Sequence, residues 1–210
     1  PWKGKEAACF RRHFKELAHN PCGKVKTGIP EHRVESGILT EMAKKSSAKF
    51  GGRFSGIKPV TIEGFPLQVP LPISGSSGRP KLSDGNIDIM ARHRCNDGRV
   101  RLSLWELKRP GAFAKALDQV YIYSVAMIHL LRSGSGQRWY RIFGFNRPLS
   151  KHLELEAVIV VTRVQERELQ RRLSSFLQDN SLNFENASIK LAVSYYDEQT
   201  YFVDPPQELI

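Results

Sequence analysis

Two short segments decide the fold of this chain: GNIDIM at residues 85–90 and RLSLWELK at residues 101–108. Both have the length and apolar content of a β-strand, and both carry charge: Asp88 in the first, Glu106 and Lys108 at the end of the second. An apolar strand normally excludes charge, because burying an unpaired ion costs much free energy. Charged groups at the ends of two such strands therefore indicate a metal site.

The sequence between these segments predicts that the two strands pair antiparallel. It contains Asn96-Asp97-Gly98, a strong signal for a hairpin turn. Because strand side chains alternate between faces, Glu106 and Lys108 point the same way, and the pairing brings Asp88 near Glu106. Two adjacent carboxylates repel each other unless a cation lies between them, and hard oxygen ligands favour Mg²⁺ or Mn²⁺. A lysine beside that ion is suited to orient a water molecule or to stabilise charge on a phosphate.

This order of residues resembles the core motif of the PD-(D/E)XK nuclease superfamily, in which an Asp in one strand precedes a Glu-x-Lys in the next. Asp88, Glu106 and Lys108 match that core, although Ile87 replaces the proline before the Asp. Gln119 and Tyr123 share one face of a predicted helix, and they resemble the Gln-x-x-x-Tyr motif of the RecB/Cas4-like branch. The resemblance covers roughly residues 31–131. The sequence ELKRP at 106–110 is also similar to Shedu-type defence nucleases.

The resemblance implies an α/β fold with a restriction-endonuclease-like core, in which helices flank a mixed central β-sheet. It implies a metal-dependent nuclease that hydrolyses phosphodiester bonds of DNA, with Asp88, Glu106 and the carbonyl of Leu107 holding one or two Mg²⁺ or Mn²⁺ ions. Related nucleases often supply a further acid from a helix before the sheet, and Glu35 and Glu41 are the two candidates. The alternative for either residue is a solvated helix acid paired with a nearby lysine.

The remaining motif residues have roles in the same resemblance. Lys108 is expected to position or activate the attacking water, and Gln119 and Tyr123 to orient Lys108 or to contact the phosphate backbone. Each motif also has an ordinary explanation. Glu106 and Lys108 fit a solvated strand end, Asp88 fits a turn residue, and Gln119 and Tyr123 fit a half-buried helix pair.

The charge of the chain favours a polyanionic partner. Its net charge is +11 and its pI is near 9.8, and Lys and Arg bound to phosphates release counterions. Arg79 and Lys81 lie in a Gly- and Ser-rich loop before the Asp88 strand, which suits either closure over a nucleic-acid strand or an idle linker. Arg109 and Lys115 follow the Glu-x-Lys motif, and all four residues are candidate nucleic-acid contacts. Charge alone also fits a ribosome or membrane-surface binder.

The sequence pattern divides the chain into an N-terminal helical extension (1–30) and a nuclease-like domain (31–210). Apolar periodicity and breaker residues predict helices at residues 2–19, 31–49, 112–131 and 166–179. Strands are predicted at residues 86–90, 101–108, 139–145, 157–162, 189–196 and 201–203, with edge strands interrupted by prolines at 57–73. Helices alternating with strands in this way are typical of an α/β domain with a mixed sheet.

The cysteines indicate a reducing compartment, either cytoplasm or nucleus. The chain has only Cys9, Cys22 and Cys95, with no C-x-x-C pair. A zinc site made of Cys9, His13, His19 and Cys22 is disfavoured, because the usual finger spacing is missing. No apolar run approaches the length of a membrane span, and no membrane partner is expected. A first residue other than Met suggests an excised domain, so further domains of a longer chain are expected. A homo-oligomer is a separate expectation for the partner.

Two other functions remain open at the level of sequence. One is a nucleic-acid-binding module that keeps the nuclease fold without activity. The other is an RNA-processing nuclease; exposed aromatic side chains for stacking unpaired bases would favour RNA or another single-stranded substrate. Trp139 and Tyr140 are candidates for such stacking, but a core position is the preferred interpretation for both.

Overall fold

The fold is described by a computed structural model. It describes residues 30–43, 54–62, 65–66, 69–70, 86–95, 97–108, 113–163, 166–197, 199–200 and 202–210. Several predictions concern residues outside these ranges: the helix at 2–19, the disfavoured zinc site at Cys9 to Cys22, and the candidate nucleic-acid contacts Arg79, Lys81 and Arg109.

The described part of the chain is α/β, with a mixed sheet and helices on both of its faces. The strands are β1 (Ile57–Pro59), β2 (Thr61–Ile62), β3 (Phe65–Pro66), β4 (Val69–Pro70), β5 (Asn86–Ile87), β6 (Ile89–Arg94), β7 (Val100–Leu107), β8 (Leu153–Thr162), β9 (Asn183–Phe184), β10 (Ala187–Tyr196) and β11 (Gln207–Glu208). The helices are α1 (Pro30–Ala43), α2 (Phe113–Arg132), α3 (Gly136–Ile142) and α4 (Glu166–Asp179).

Seven of the described strands form the central sheet, in the order β1-β6-β7-β8-β10-β11 with β9 also paired to β10. β6 and β7 pair antiparallel, with Ile89 opposite Trp105, so the predicted hairpin is confirmed. β7, β8 and β10 run parallel, and α2 and α4 make the connections between them. These three strands therefore end at one edge of the sheet, at Leu107, Thr162 and Tyr196, which is called the carboxyl edge below.

Alternation along β7 explains how one strand serves two cores. Leu102 and Leu104 pack with α2 and α4 on one face, called the α2 face. Trp105 and Leu107 pack with α1 on the other face, called the α1 face. All four side chains are almost fully buried, as expected for a central strand whose sheet has helices on both sides.

Helix α2 follows the predicted periodicity and is amphipathic. Ala116, Leu117, Val120 and Met127 recur at helical spacing and are buried in the α2-face core. Helix α4 has the predicted bounds, and the predicted strands at 157–162 and 189–196 lie within β8 and β10. Among the described residues, no helix combines the length and the apolar character needed to cross a membrane.

The strand predicted at residues 139–145 is wrong, because helix α3 occupies most of this segment. Its aromatic content favoured a strand. Trp139 and Phe143, however, lie four residues apart and both face the core, with ring centroids 6.0 Å apart. Tyr140 stacks on Phe145 at 4.1 Å. Trp139 is therefore a core residue, as the preferred interpretation of the sequence expected, while Tyr140 is half-buried against the core.

Two other strand predictions are corrected in detail. The predicted strand at 86–90 is interrupted at Asp88, so that β5 pairs with β4 while β6 pairs with β7. Of the predicted strand at 201–203, the described residues 202 and 203 contribute a single bridge, between Val203 and Tyr196. The proline-rich segment contains the short strands β1 to β4, because proline lacks the N–H that a continuous ladder needs.

Replacing Gly136 with Ala is expected to destabilise the turn between α2 and α3. A Cβ at Gly136 would lie 1.7 Å from the carbonyl oxygen of Leu131, so the backbone must shift, whereas a Cβ at Gly134 would meet no atom within 4 Å. We expect Gly136→Ala to lower the free energy of unfolding by about 2 kcal/mol, and Gly134→Ala to change it by less than about 0.5 kcal/mol. Urea denaturation measures both, and equal losses would contradict this account of the turn.

Candidate active site

Asp88 lies at the interruption between β5 and β6, beside the end of β7. Its Oδ2 accepts a hydrogen bond of 2.8 Å from the backbone N–H of Leu107. The residue directly before Leu107 is Glu106, so this bond holds the Asp88 carboxylate next to the strand end that carries the other motif residues. The predicted proximity of Asp88 and the Glu-x-Lys segment is therefore present in the fold.

Glu106 and Lys108 form an ion pair at the carboxyl edge. The Nζ of Lys108 donates to Oε1 of Glu106 at 2.5 Å. Glu106 is only 1% exposed, while the side chain of Lys108 is 19% exposed. Removing a carboxylate from water costs several kcal/mol, by an order-of-magnitude estimate, and a close ammonium group offsets much of that cost. The pair therefore anchors an ionised lysine at the rim of the core.

Gln119 and Tyr123 of α2 lie on the face of the sheet toward which Glu106 points. Glu106 lies between Trp105 and Leu107, which face α1, so its own side chain points toward α2. On α2, Nε2 of Gln119 donates to the hydroxyl of Tyr123 at 3.2 Å. Burial raises the pKa of the Tyr123 phenol, and the negative charge of Glu106 raises this pKa further.

The other charged motif residues also act on Tyr123, which agrees with their expected proximity. The charge of Lys108 lowers the pKa of Tyr123 and that of Asp88 raises it, in addition to the effect of Glu106. The fold thus gathers Asp88, Glu106, Lys108, Gln119 and Tyr123 around the end of β7. A phenol is protonated at neutral pH even at its ordinary pKa of about 10, so Tyr123 can act as a hydrogen-bond donor.

The oxygen donors at this site suit a hard cation. Mg²⁺ usually keeps several waters and is held by one or two carboxylates together with substrate phosphates. Asp88 and Glu106 supply two carboxylates, and Leu107 supplies a backbone carbonyl at the same strand end. Among the residues that the structure describes, no three or more His, Cys, Asp or Glu side chains form a group that could hold a metal ion.

The third acid therefore remains a prediction. Glu35 and Glu41 are half-buried on α1, which packs through Val34, Ile38 and Met42 on the face opposite to Glu106. Lys115, the one candidate nucleic-acid contact in the described ranges, is exposed in the first turn of α2. Its position is compatible with the predicted role.

Sequence reasoning missed Tyr196, which approaches the site from β10. Its hydroxyl lies 3.5 Å from the carbonyl oxygen of Lys108, and its ring belongs to the core of the α1 face. β10 is two strands away from β7 in the sheet. No local signal identifies such a residue, because its proximity depends on the order of parallel strands.

Sequence reasoning also missed a second buried carboxylate, Glu156 on β8. Its Oε1 lies 2.9 Å from Nδ1 of His93, and its Oε2 accepts a hydrogen bond of 2.5 Å from Ser103. The pattern Leu-Glu-Leu-Glu at 153–156 was a usable signal, since it places two acids on one face of an apolar strand. Glu156 lies in the first half of β8, away from the carboxyl edge.

Comparisons with models of protein families, with curated proteins and with solved structures find no match to this chain. A functional conclusion therefore depends on the arrangement of the residues themselves.

The wild-type protein is expected to lose stability at alkaline pH because Tyr123 ionises, and replacing Tyr123 with Phe should prevent that loss. Because the pKa of Tyr123 is raised in the folded protein, the unfolded chain releases this proton first as the pH rises above about 10. The stability associated with the protonated phenol is complete below that pH and is lost above it. The Tyr123→Phe protein should therefore gain stability relative to wild type above about pH 10. Urea denaturation at a series of pH values measures the difference, and a constant difference throughout would contradict this.

Proposed function

We propose that this protein is a metal-dependent nuclease that hydrolyses phosphodiester bonds of DNA. The observation that carries the proposal is the convergence of Asp88, Glu106 and Lys108 at the ends of two paired strands, where the Gln119–Tyr123 pair meets them. A basic chain with a net charge of +11 is suited to a polyanionic substrate.

The order of elements supports a restriction-endonuclease-like core as part of the same proposal. Helix α1 precedes the antiparallel strands β1, β6 and β7, and α2 then leads to the parallel strand β8. The Asp lies beside β6 and the Glu-x-Lys ends β7, which is the arrangement that the resemblance implies. Helices on both faces of a mixed sheet agree with it as well.

Asp88 and Glu106, with the carbonyl of Leu107, would hold Mg²⁺ or Mn²⁺, which supplies Lewis-acid activation of the phosphate and a water of lowered pKa. A carboxylate has about four acceptor sites, so Glu106 can bind Lys108 and a cation together. Lys108, fixed by Glu106, orients the attacking water and stabilises negative charge on the phosphate. Tyr123, protonated at neutral pH and held by Gln119, donates a hydrogen bond to the phosphate backbone or orients Lys108.

One observation favours a second candidate, a nucleic-acid-binding module without activity. Glu106 is 1% exposed and already paired with Lys108, which also suits a purely structural ion pair. The two candidates differ in their response to metal ions, because only an assembled acidic site gains stability from Mg²⁺ or Mn²⁺.

Replacing Lys108 with Ala is expected to abolish cleavage while leaving DNA binding largely intact. Loss of a group that stabilises transition-state charge costs roughly 100- to 1000-fold in rate. The assay follows cleavage of circular and linear duplex DNA, single-stranded DNA and RNA in Mg²⁺, Mn²⁺ or EDTA. Lys151→Ala is the control, because Lys151 is an exposed lysine just before β8, at the opposite end of that strand from the carboxyl edge.

The outcomes of that assay separate the candidates. Metal-dependent cutting that disappears with Lys108→Ala and persists with Lys151→Ala supports the nuclease proposal. Preference for RNA over every DNA substrate would replace DNA with RNA as the substrate. A Lys108→Ala protein that cuts at the wild-type rate would remove the proposed role of Lys108.

Addition of Mn²⁺ is expected to raise the melting temperature of the wild type but not of Asp88→Asn or Glu106→Gln. A ligand at a hundredfold excess over its Kd stabilises a protein by about 2.7 kcal/mol, which is roughly 5–10 °C for a chain of this size. Each variant is compared with itself in EDTA, so that a change in intrinsic stability does not interfere. Glu154→Gln is the control, since Glu154 is a strand acid paired with Arg101 away from the site. Equal shifts in all four proteins would contradict the metal site.

A further inference from the structure

The carboxyl edge continues beyond Lys108 with a second cationic side chain, Arg163. Arg163 directly follows β8, the strand next to β7, and the backbone N–H of Lys108 donates to Val160 of β8 at 3.2 Å. The guanidinium carbon of Arg163 lies 5.4 Å from the ring centroid of Tyr195, and Tyr195 belongs to the core of the α2 face. Arg163 therefore lies on the same face and the same edge as the Glu106–Lys108 pair.

Two contacts hold the guanidinium of Arg163 while leaving it accessible. Its Nη2 donates to the carboxylate of Asp204, and the ring of Tyr195 lies beneath it. The side chain is nevertheless 65% exposed. A guanidinium has five N–H donors in a planar fork that matches phosphate, so donors remain for a ligand. Asp204 balances the charge of this cation when no ligand is bound.

An exposed aromatic side chain, Phe202, lies at the same edge. Lys108, Arg163 and Phe202 together are called the row. The segment around it is paired with the end of β10 through backbone hydrogen bonds. The N–H of Asp197 donates to the carbonyl of Phe202, and the N–H of Asp204 donates to the carbonyl of Tyr195, both at 2.8 Å. Val203 is buried in the core of the α1 face. Its neighbours Phe202 and Asp204 therefore point to the other face, and the ion pair of Asp204 with Arg163 agrees with this. Phe202 is 46% exposed, so its ring can be reached from solvent.

The row crosses the sheet from a cation, over a second cation, to an aromatic ring. Lys108 directly follows β7, Arg163 directly follows β8, and Phe202 lies on the segment that pairs beyond β10, so three strand spacings separate the first from the last. At about 4.8 Å for each spacing this is roughly 14 Å, the reach of a short run of nucleotides. Cations for phosphates together with an aromatic ring for bases are the combination with which proteins bind unpaired strands.

We propose that an unpaired strand of DNA crosses the carboxyl edge from Lys108 toward Phe202, with a phosphate on Arg163 and a base stacked on Phe202. This inference rests on the proposed function, because it takes Lys108 as the point of cleavage. Bases inside a duplex are stacked on each other and offer no free face to Phe202. The substrate is therefore single-stranded DNA, or a duplex with a flap or a frayed end.

Binding in EDTA tests the role of Phe202 without cleavage. Fluorescence anisotropy compares a labelled single strand with a blunt duplex of the same length. Phe202→Ala should weaken single-strand binding by roughly tenfold, since stacking contributes about 1–3 kcal/mol per base, and should leave duplex binding unchanged. Phe202→Trp should retain single-strand affinity. Ile142→Ala is the matched control, because Ile142 is 45% exposed on α3 and lies outside the row.

The salt dependence of binding tests the role of Arg163. Arg163→Gln should lower single-strand affinity and reduce the slope of log K against log salt by about 0.7, the value for one phosphate contact. Asp204→Asn should raise the affinity, because it removes the carboxylate that competes with the phosphate. Arg99→Gln is the control, since Arg99 is 62% exposed and paired with Asp97, but lies at the hairpin on the opposite edge.

The binding and cleavage measurements test the two proposals separately. If Phe202→Ala behaves like Ile142→Ala, or Arg163→Gln like Arg99→Gln, the row is not the path of the substrate, whatever the cleavage assay gives. If both site variants lose single-strand binding while the wild type cuts no substrate in Mg²⁺ or Mn²⁺, the binding row stands and the nuclease proposal is overturned.

Discussion

The ion pair between Glu106 and Lys108 is the interaction on which the rest of this site depends. Glu106 lies near the end of β7, a strand with β6 on one side and β8 on the other, and is 1% exposed. A carboxylate in that position is tolerated only if it is paired. Lys108 supplies the partner from two residues along the same strand, at 2.5 Å. The folded chain must therefore keep a cation beside a buried acid at the carboxyl edge.

Burial of an acid is not by itself a sign of chemistry, as Glu156 demonstrates in the same sheet. Glu156 is 4% exposed, and His93 and Ser103 satisfy its two oxygens. It lies in the first half of its strand and has neutral or titratable partners rather than a lysine. Glu106 differs in two ways that matter: its partner is a lysine, and parallel strands end beside it. In open α/β sheets the carboxyl ends of the strands are where ligands bind.

The local sequence was sufficient to predict those parts of the fold that depend on short-range interactions. The Asn-Asp-Gly turn predicted the β6–β7 hairpin, and the i, i+4 spacing of Gln119 and Tyr123 predicted that they share one face of α2. Helix α3 was misread because its aromatic residues favour strands, and only the packing of Trp139 against Phe143 selects the helix. The partners of Arg163 could not be read locally, because they depend on the order β7-β8-β10 and on a segment that pairs after β10.

Lys108 is positioned from both faces of the sheet, and this explains why a site can form at a strand end rather than in a loop. On the α2 face its ammonium group is held by Glu106. From the α1 face the hydroxyl of Tyr196, carried by β10, lies 3.5 Å from its carbonyl oxygen. Its N–H is bonded to Val160 of β8. Backbone and side chain are thus restrained by three strands, and a lysine restrained in this way would lose little further entropy in the proposed role of orienting a water or a phosphate.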